Sequence, residues 1–285
     1  MQGFTATLKR GPMLKVYKRA AQQKRIILDW AATHIFKGSR VVNTPYGFRL
    51  VASKYLGNLW MKDGKFEQEE VKIATRVLRE VEVFVDVGAN IGYYTCLAGV
   101  AGTQVLAFEP YARNLWNLYE SIRLNGFKNI EVFPMALGSE PGITEIFGAT
   151  GPSASLLQNW SGYSSGYKQT IPVNTMDAVI GARVPGKKAF VKIDVEGFEY
   201  QVLLGGKSLI NAHPKPIWLI EICLNEYHPG GTNPDYQKTF DLFFDAGYRV
   251  FVADSRGIEV TRDDVKNWAA ANKTPHGAFN YLIRE

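Results

Sequence analysis

Val83-Phe84-Val85-Asp86-Val87-Gly88-Ala89-Asn90-Ile91-Gly92 reads as a buried strand that runs into a glycine turn and then into the first turn of a helix. A parallel sheet offers a ligand free backbone N–H groups and a positive helix end at such a junction. The spacing is G-x-x-x-G, not the G-x-G-x-x-G of dinucleotide sites, and the carboxylate of Asp86 at the strand end favours a cation over a phosphate. Gly88 and Gly92 are expected to let a ligand approach the main chain. Outward from this stretch the pattern alternates. Strands are expected at Val81–Val87, Gln104–Phe108 and Ile130–Pro134, with helices at Ile91–Val100 and Tyr111–Asn125 between them. Such βαβαβ order means a parallel sheet covered on both faces. It resumes with strands at Ala189–Val195, Pro216–Cys223, Tyr248–Ala253 and Ala278–Arg284. Helical turns fall at Tyr200–Leu204 and Lys207–Ala212, and helices at Asp235–Ala246 and Thr261–Ala271, the last opened by a Thr261/Asp264 capping box.

Before the alternation, Val41–Ala52 with Thr44-Pro45-Tyr46-Gly47 is a short hairpin, and Lys62-Asp63-Gly64-Lys65 is a turn before a helix from about Glu67 to Glu80. Earlier still, Leu14, Tyr17, Ala20, Ala21, Leu28, Ala31 and Ile35 recur at helical spacing. The expected organisation is a basic amphipathic helix (1–40), a hairpin and helix leading into the core (41–80), and a main domain (81–285). Two strands are expected within Gly142–Val173, around a loop, Gly148–Gly166, rich in Gly, Ser, Tyr and Asn. Long polar loops in compact domains are usually functional, and Trp160, Tyr163 and Tyr167 could stack there on a sugar or aromatic ring.

Across 285 residues the chain is 46% hydrophobic and 21% charged, which excludes disordered, collagenous and coiled-coil classes. Two cysteines, Cys96 and Cys223, make no disulfide framework and suit a reducing, cytoplasmic setting. The net charge of +6 is not spread evenly. Residues 1–40 hold nine basic side chains against Asp29 alone, so the remaining 245 residues, with 24 basic and 26 acidic, carry −2. A body without a basic face argues against a polynucleotide partner. The helix within residues 12–36 suits packing on the domain or a second copy in a homo-oligomer, or peripheral docking on a membrane or anionic partner. Val87–Phe108 is long and uncharged, but its glycines break it into strand, turn, helix, turn and strand, so it is no membrane span.

Ala107-Phe108-Glu109-Pro110 ends the second strand of the alternation, 23 residues after Asp86. An acid at that strand tip accepts hydrogen bonds from ribose hydroxyls, the logic of nucleoside-cofactor binding in doubly wound folds. The chain resembles the cofactor-binding half of the class I S-adenosylmethionine-dependent methyltransferases, and more narrowly the FkbM family. The resemblance rests on Thr44-Pro45-Tyr46-Gly47, Asp63-Gly64-Lys65-Phe66-Glu67, Asp86 through Thr95, Glu109-Pro110, Ala136-Leu137-Gly138 and Lys192-Ile193-Asp194-Val195-Glu196-Gly197. It covers about residues 41–285. It implies a doubly wound, Rossmann-like α/β sheet of seven strands in the order 3-2-1-4-5-7-6, strand 7 antiparallel. The implied cofactor is S-adenosylmethionine, with the methyl passing to a hydroxyl of a sugar, glycoconjugate or polyketide-like small molecule. By that analogy Asp86, Gly88, Ala89, Asn90 and Gly92 hold the methionine part, Glu109 with Pro110 the ribose, and Met135-Ala136-Leu137 the adenine. Glu67, Tyr94 and Thr95 in the shared motifs, and Asp194, complete the expected cofactor site.

A second constellation stands on its own chemistry. Strand alternation puts Lys192, Asp194 and Glu196 on one side of Phe190–Glu196, where a central strand normally reads apolar on both faces. Glu221 interrupts the apolar run Ile217-Trp218-Leu219-Ile220. These four are expected to meet at the sheet's carboxyl edge. In one reading Asp194 or Glu196 is the general base that deprotonates the acceptor, with Lys192 orienting the carboxylates. In the other, Asp194, Glu196 and Glu221 hold a divalent cation. The base reading is preferred because Lys192 supplies a countercharge, and no metal is assigned. His276, before Gly277-Ala278-Phe279-Asn280, is a secondary base candidate. The alternative from another class is a non-catalytic cofactor-binding scaffold that docks through the basic helix.

Overall fold

A computed structural model describes residues 39–53, 59–148, 154–160, 168–275 and 277–285. The expected helix of residues 12–36 lies outside these, as do Tyr163, Tyr167 and His276. A hairpin, β1 (Ser39–Asn43) and β2 (Arg49–Ser53), is followed by α1 (Leu59–Lys62) and α2 (Gln68–Val77). The alternating core opens with β3 (Val83–Val87), α3 (Tyr93–Ala101), β4 (Gln104–Phe108), α4 (Ala112–Asn125) and β5 (Ile130–Phe133). A side sheet holds β6 (Ala136–Leu137), β7 (Gly142–Phe147) and β8 (Lys168–Asn174) in the order β6-β8-β7. Then come α5 (Met176–Ile180), β9 (Ala189–Ile193), α6 (Glu199–Leu204), α7 (Lys207–Ile210) and β10 (Ile217–Glu221). The chain closes with α8 (Tyr236–Asp245), β11 (Arg249–Val252), β12 (Glu259–Val260), α9 (Arg262–Ala271) and β13 (Asn280–Arg284).

The main sheet runs β12-β11-β13-β10-β9-β3-β4-β5. Neighbours from β10 through β9, β3 and β4 to β5 are parallel, and β13 lies antiparallel between β10 and β11. This is the expected seven-stranded order, with the two-residue β12 added at one edge. The fold is a Rossmann-like α/β methyltransferase sheet. The capping box at α9 forms as its sequence requires: Thr261 accepts from the Asp264 N–H, and Asp264 accepts from the Thr261 N–H. The helix α5, between β8 and β9, has no counterpart in the sequence reading. Thr175 caps it by accepting from the Ala178 N–H at 3.2 Å.

Strand alternation sorts the core into two layers. Val83, Val85, Val87, Val191, Ile193, Trp218 and Ile220 face a cluster with Met176, Val202, Leu203, Phe240 and Phe243. Phe84, Val105, Ala107, Phe190 and Leu219 face the other way, against Phe48 and Leu50 of the hairpin, Val71 and Ala74 of α2, and Tyr93, Tyr94 and Leu97 of α3. The hairpin β1–β2 and α2 therefore cover one face of the sheet and share its core. Among the described residues no helix is long and apolar enough to cross a membrane.

Candidate active site

On the face covered by the hairpin, α2 and α3, the alternation that buries Phe84, Phe190 and Leu219 brings Asp86, Lys192 and Glu221 to the carboxyl edge of the sheet. Asp86 is the parallel partner of Lys192, and Glu221 is paired with Asn280. Lys192 is 6% exposed, donates to Asp194 Oδ2 at 2.8 Å and lies 4.6 Å from the centre of the Tyr94 ring. Burial works to lower its pKa, but the carboxylates of Asp194, Glu67 and Asp86 outweigh that and raise it. Glu67, at the entry to α2, accepts the Tyr94 hydroxyl proton at 2.7 Å. Burial pushes Glu67 up to about 7 against the pull of Lys192. Asp86 accepts from the Thr95 hydroxyl at 2.6 Å, and burial lifts it to about 6, with Lys192 and Thr95 opposing.

The strand β9 stops at Ile193, so period-two alternation does not place Glu196, contrary to the sequence expectation. The Asp194 N–H still bonds the Val87 carbonyl at 3.0 Å, and then the chain turns. Glu196 takes a left-handed conformation, φ 57°, and Gly197 follows with φ 95°. The buried Glu199 holds this turn by accepting from the N–H groups of Val195 at 3.3 Å and Gly197 at 2.9 Å. The turn aims Glu196 at the cavity, where its carboxylate accepts the indole N–H of Trp160. Burial, with Asp194 adding repulsion, pushes Glu196 up to about 8 and raises Glu221 well above the carboxylate range. Trp160 is therefore no platform for an acceptor: it is 2% exposed, and a Cβ on Gly197 would lie 2.4 Å from its ring.

The other wall begins at the end of β4. Glu109 accepts from the Asn90 N–H through Oε2 and from the Tyr111 N–H through Oε1, both at 2.8 Å. Burial lifts it to about 7, with these bonds pulling the other way. The Asn114 amide also donates to Oε1 at 3.4 Å, so with two hydrogen bonds per carboxylate oxygen Glu109 keeps one acceptor position, on Oε2, for a ribose hydroxyl. Beyond it, Met135, Ala136, Leu137 and Ile146 of the side-sheet region supply an apolar flank. The cavity between these walls measures about 380 Å³, within the range of small-molecule sites. Its ionisable lining is mostly acidic, with Glu67, Asp86, Glu109, Asp194, Glu196 and Glu221 against Lys192 and Arg113. That set suits a ligand carrying a ribose, a purine and positive charge, which is the chemistry of S-adenosylmethionine with its sulfonium and ammonium.

Of the residues expected at the cofactor, Glu67, Asp86, Gly88, Ala89, Asn90, Tyr94, Glu109, Pro110, Met135, Ala136 and Asp194 line this cavity. Lys192, Glu196 and Glu221 line it too. Gly92 and Thr95 do not. A Cβ on Gly92 would lie 2.6 Å from Leu118 Cδ1, so this glycine serves the packing of α3 on α4. Thr95 stands behind the wall, holding Asp86. Gly88 lines the cavity, but its close approach is to protein: a Cβ there would lie 1.9 Å from the Asp194 carbonyl oxygen. Among the described residues no group of three or more His, Cys, Asp or Glu side chains is placed to hold a metal ion. The sequence reading missed Glu199; its signal was an acid opening a helix just after a glycine, where it can cap free N–H groups.

Known proteins bear on this site. The methyltransferase FkbM domain family matches residues 86–250. The hexuronic acid methyltransferase AglP of Haloferax volcanii is 27% identical over 182 residues, 63% of this chain and 70% of that protein. Among solved structures, the FkbM methyltransferase of Methylobacillus flagellatus KT is similar with a TM-score of 0.45 and 19% identity, covering 79% of this chain and 60% of its own. A SAM-dependent methyltransferase of Agrobacterium tumefaciens has a TM-score of 0.43 and 9% identity, over 86% of this chain and 69% of that one. The family match spans more than half of the chain and includes both the glycine turn and the Lys192–Glu196 segment. This chain belongs to the FkbM family of methyltransferases, with S-adenosylmethionine as its cofactor.

Proposed function

We propose that the chain methylates a hydroxyl oxygen of a sugar or glycoconjugate. The observation that carries this reading is that Lys192, Asp194, Glu196 and Glu221 line the same cavity as Glu109 and the Asp86–Asn90 turn, so acceptor chemistry and donor binding share one space. When bound, S-adenosylmethionine supplies a methyl group on a positively charged sulfur. Transfer of that methyl to an acceptor hydroxyl would leave the sulfur uncharged and release the hydroxyl proton, which a residue of this chain must take. Asp194 takes it. Its Oδ2 is held by Lys192, and among the described residues nothing bonds its Oδ1, which is left to accept the proton. Lys192, seated over Tyr94, fixes the carboxylate and prevents its rotation away from the cavity. The relative from Haloferax volcanii, named for a hexuronic acid, supports a sugar as the acceptor class.

The test is methyl transfer from S-adenosylmethionine labelled in its methyl carbon to a panel of glycosides that includes uronic acids, read by NMR as a new O-methyl signal. Asp194→Asn should lower kcat by about 10²- to 10⁴-fold and leave S-adenosylhomocysteine affinity within a few fold. Glu196→Gln should cost less than about tenfold. A larger loss in Glu196→Gln than in Asp194→Asn would move the base to Glu196. Transfer only to nitrogen acceptors, or no turnover by folded protein that binds S-adenosylhomocysteine, would overturn the reading.

A further inference from the structure

A second, more open cavity lies beside the first, walled by α1, α2, the end of β11 and the start of β13. Three features place the two side by side. Trp60 lines both. Along α2, Glu67 faces the inner cavity while Gln68, Glu69 and Glu70 face the outer one. Across the sheet, Glu221 lines the inner cavity, and its antiparallel partner Asn280 lines the outer. We propose that the outer cavity binds a second sugar unit of the acceptor, so that the substrate is an oligosaccharide or glycan chain whose terminal unit enters the inner cavity.

The chemistry of the walls supports a sugar. Trp60 is 64% exposed, a large aromatic face open to the cavity mouth, against which the C–H face of a pyranose can lie. Around it stand the side-chain amides of Gln68 and Asn280, the Asp254–Arg256 ion pair and Lys65, planar or charged groups that exchange hydrogen bonds with hydroxyls. The wall also holds Val252, Ala253, Ala278 and Phe279, apolar surface that suits the C–H face of a ring. The walls are also fixed in position. Asn280 donates to Glu70 Oε1 at 2.9 Å, tying β13 to α2. Lys65 is exposed and lines this cavity. A groove so tied is preorganised, and its ligand meets little ordering cost.

The proposal rests on the sugar-methylation reading above, and its test separates the two. The full chain, saturated with S-adenosylhomocysteine, is titrated calorimetrically with the methyl glycoside of glucuronic acid, then with oligosaccharides of two and four units that end in the same glucuronic acid. The disaccharide should bind about tenfold more tightly than the monosaccharide, with little further gain at four units. Gln68→Ala changes an exposed residue that lines the outer cavity alone; it should cut this ratio about threefold, and Trp60→Ala should abolish it. Gln68→Ala, which leaves the inner cavity untouched, should keep wild-type affinity for S-adenosylhomocysteine. Equal affinity along the ladder, no heat with any saccharide while S-adenosylhomocysteine still binds, or an unchanged ratio in both variants overturns the outer site. Loss of S-adenosylhomocysteine binding by folded wild-type protein would instead strike the cofactor reading.

Discussion

Gly88 shows how one hydrogen atom in place of a side chain sets the geometry of this site. A methyl group there would collide with the backbone of Asp194, so the end of β3 and the end of β9 can touch only through a glycine. Gly88→Ala should therefore cost more than about 3 kcal/mol in urea unfolding, while Gly102→Ala, also left-handed but with open space around it, should cost about 1 kcal/mol. Equal losses would mean that backbone conformation alone decides. Glu199 gives a second test. Burial raises it from 4.5 to about 7, so its contribution to stability is whole below about pH 4.5 and is lost as pH rises through 7. Glu199→Gln keeps an oxygen to accept the Val195 and Gly197 N–H groups and removes the titration. The variant should be roughly 1–3 kcal/mol more stable than wild type at pH 8, with the difference shrinking toward pH 5. A difference that does not change with pH would disprove the linkage.

At the scale of elements, the sequence was most legible where local and tertiary demands agree. The strand at Gln104–Phe108 has the expected limits, and α4 and α9 each begin one residue inside theirs, because apolar periodicity and the turn residues give the same answer. The capping box of α9 should be worth about 1 kcal/mol, so Thr261→Ala should lower the urea midpoint with an unchanged slope. Legibility failed where alternation was carried past the end of a strand. Residues 189–193 obey it, which is why Lys192 could be placed from sequence; Glu196 reaches the cavity through a left-handed turn that no periodicity encodes. The same holds for Glu67 and Asn90, non-glycine residues in left-handed conformations that also line the cavity. Sheet order was legible only through family resemblance, since strand spacing does not say which strands are neighbours. That Gly92 and Thr95 stand behind the cavity wall was not legible, because a glycine or hydroxyl beside a ligand site looks the same in sequence whether it meets ligand or protein.

For the whole molecule, the balance of buried charge governs behaviour with pH. Asp86 is raised to about 6, Glu67, Glu109 and Glu199 to about 7, and Glu196 to about 8, all by burial. Each is raised above its unfolded value, so each contributes stability at acid pH that is lost as pH climbs through 6 to 8. The ligand-free protein should lose several degrees of Tm between pH 5 and pH 8 by scanning calorimetry, and a rising Tm over that range would contradict the assignment. The groove beside the active site has a separate consequence for descent. The family match runs from 86 to 250, whereas Trp60, Gln68, Glu70 and Asn280 all fall outside it. On the proposed role of the outer cavity, part of the acceptor choice lies outside the matched stretch, and a graft of residues 68–70 from a relative, which leaves Glu67 in place, should change the preferred glycan while leaving donor affinity alone. Duplicated copies of such a gene can diverge in what they modify without passing through a form that has lost its methyl donor.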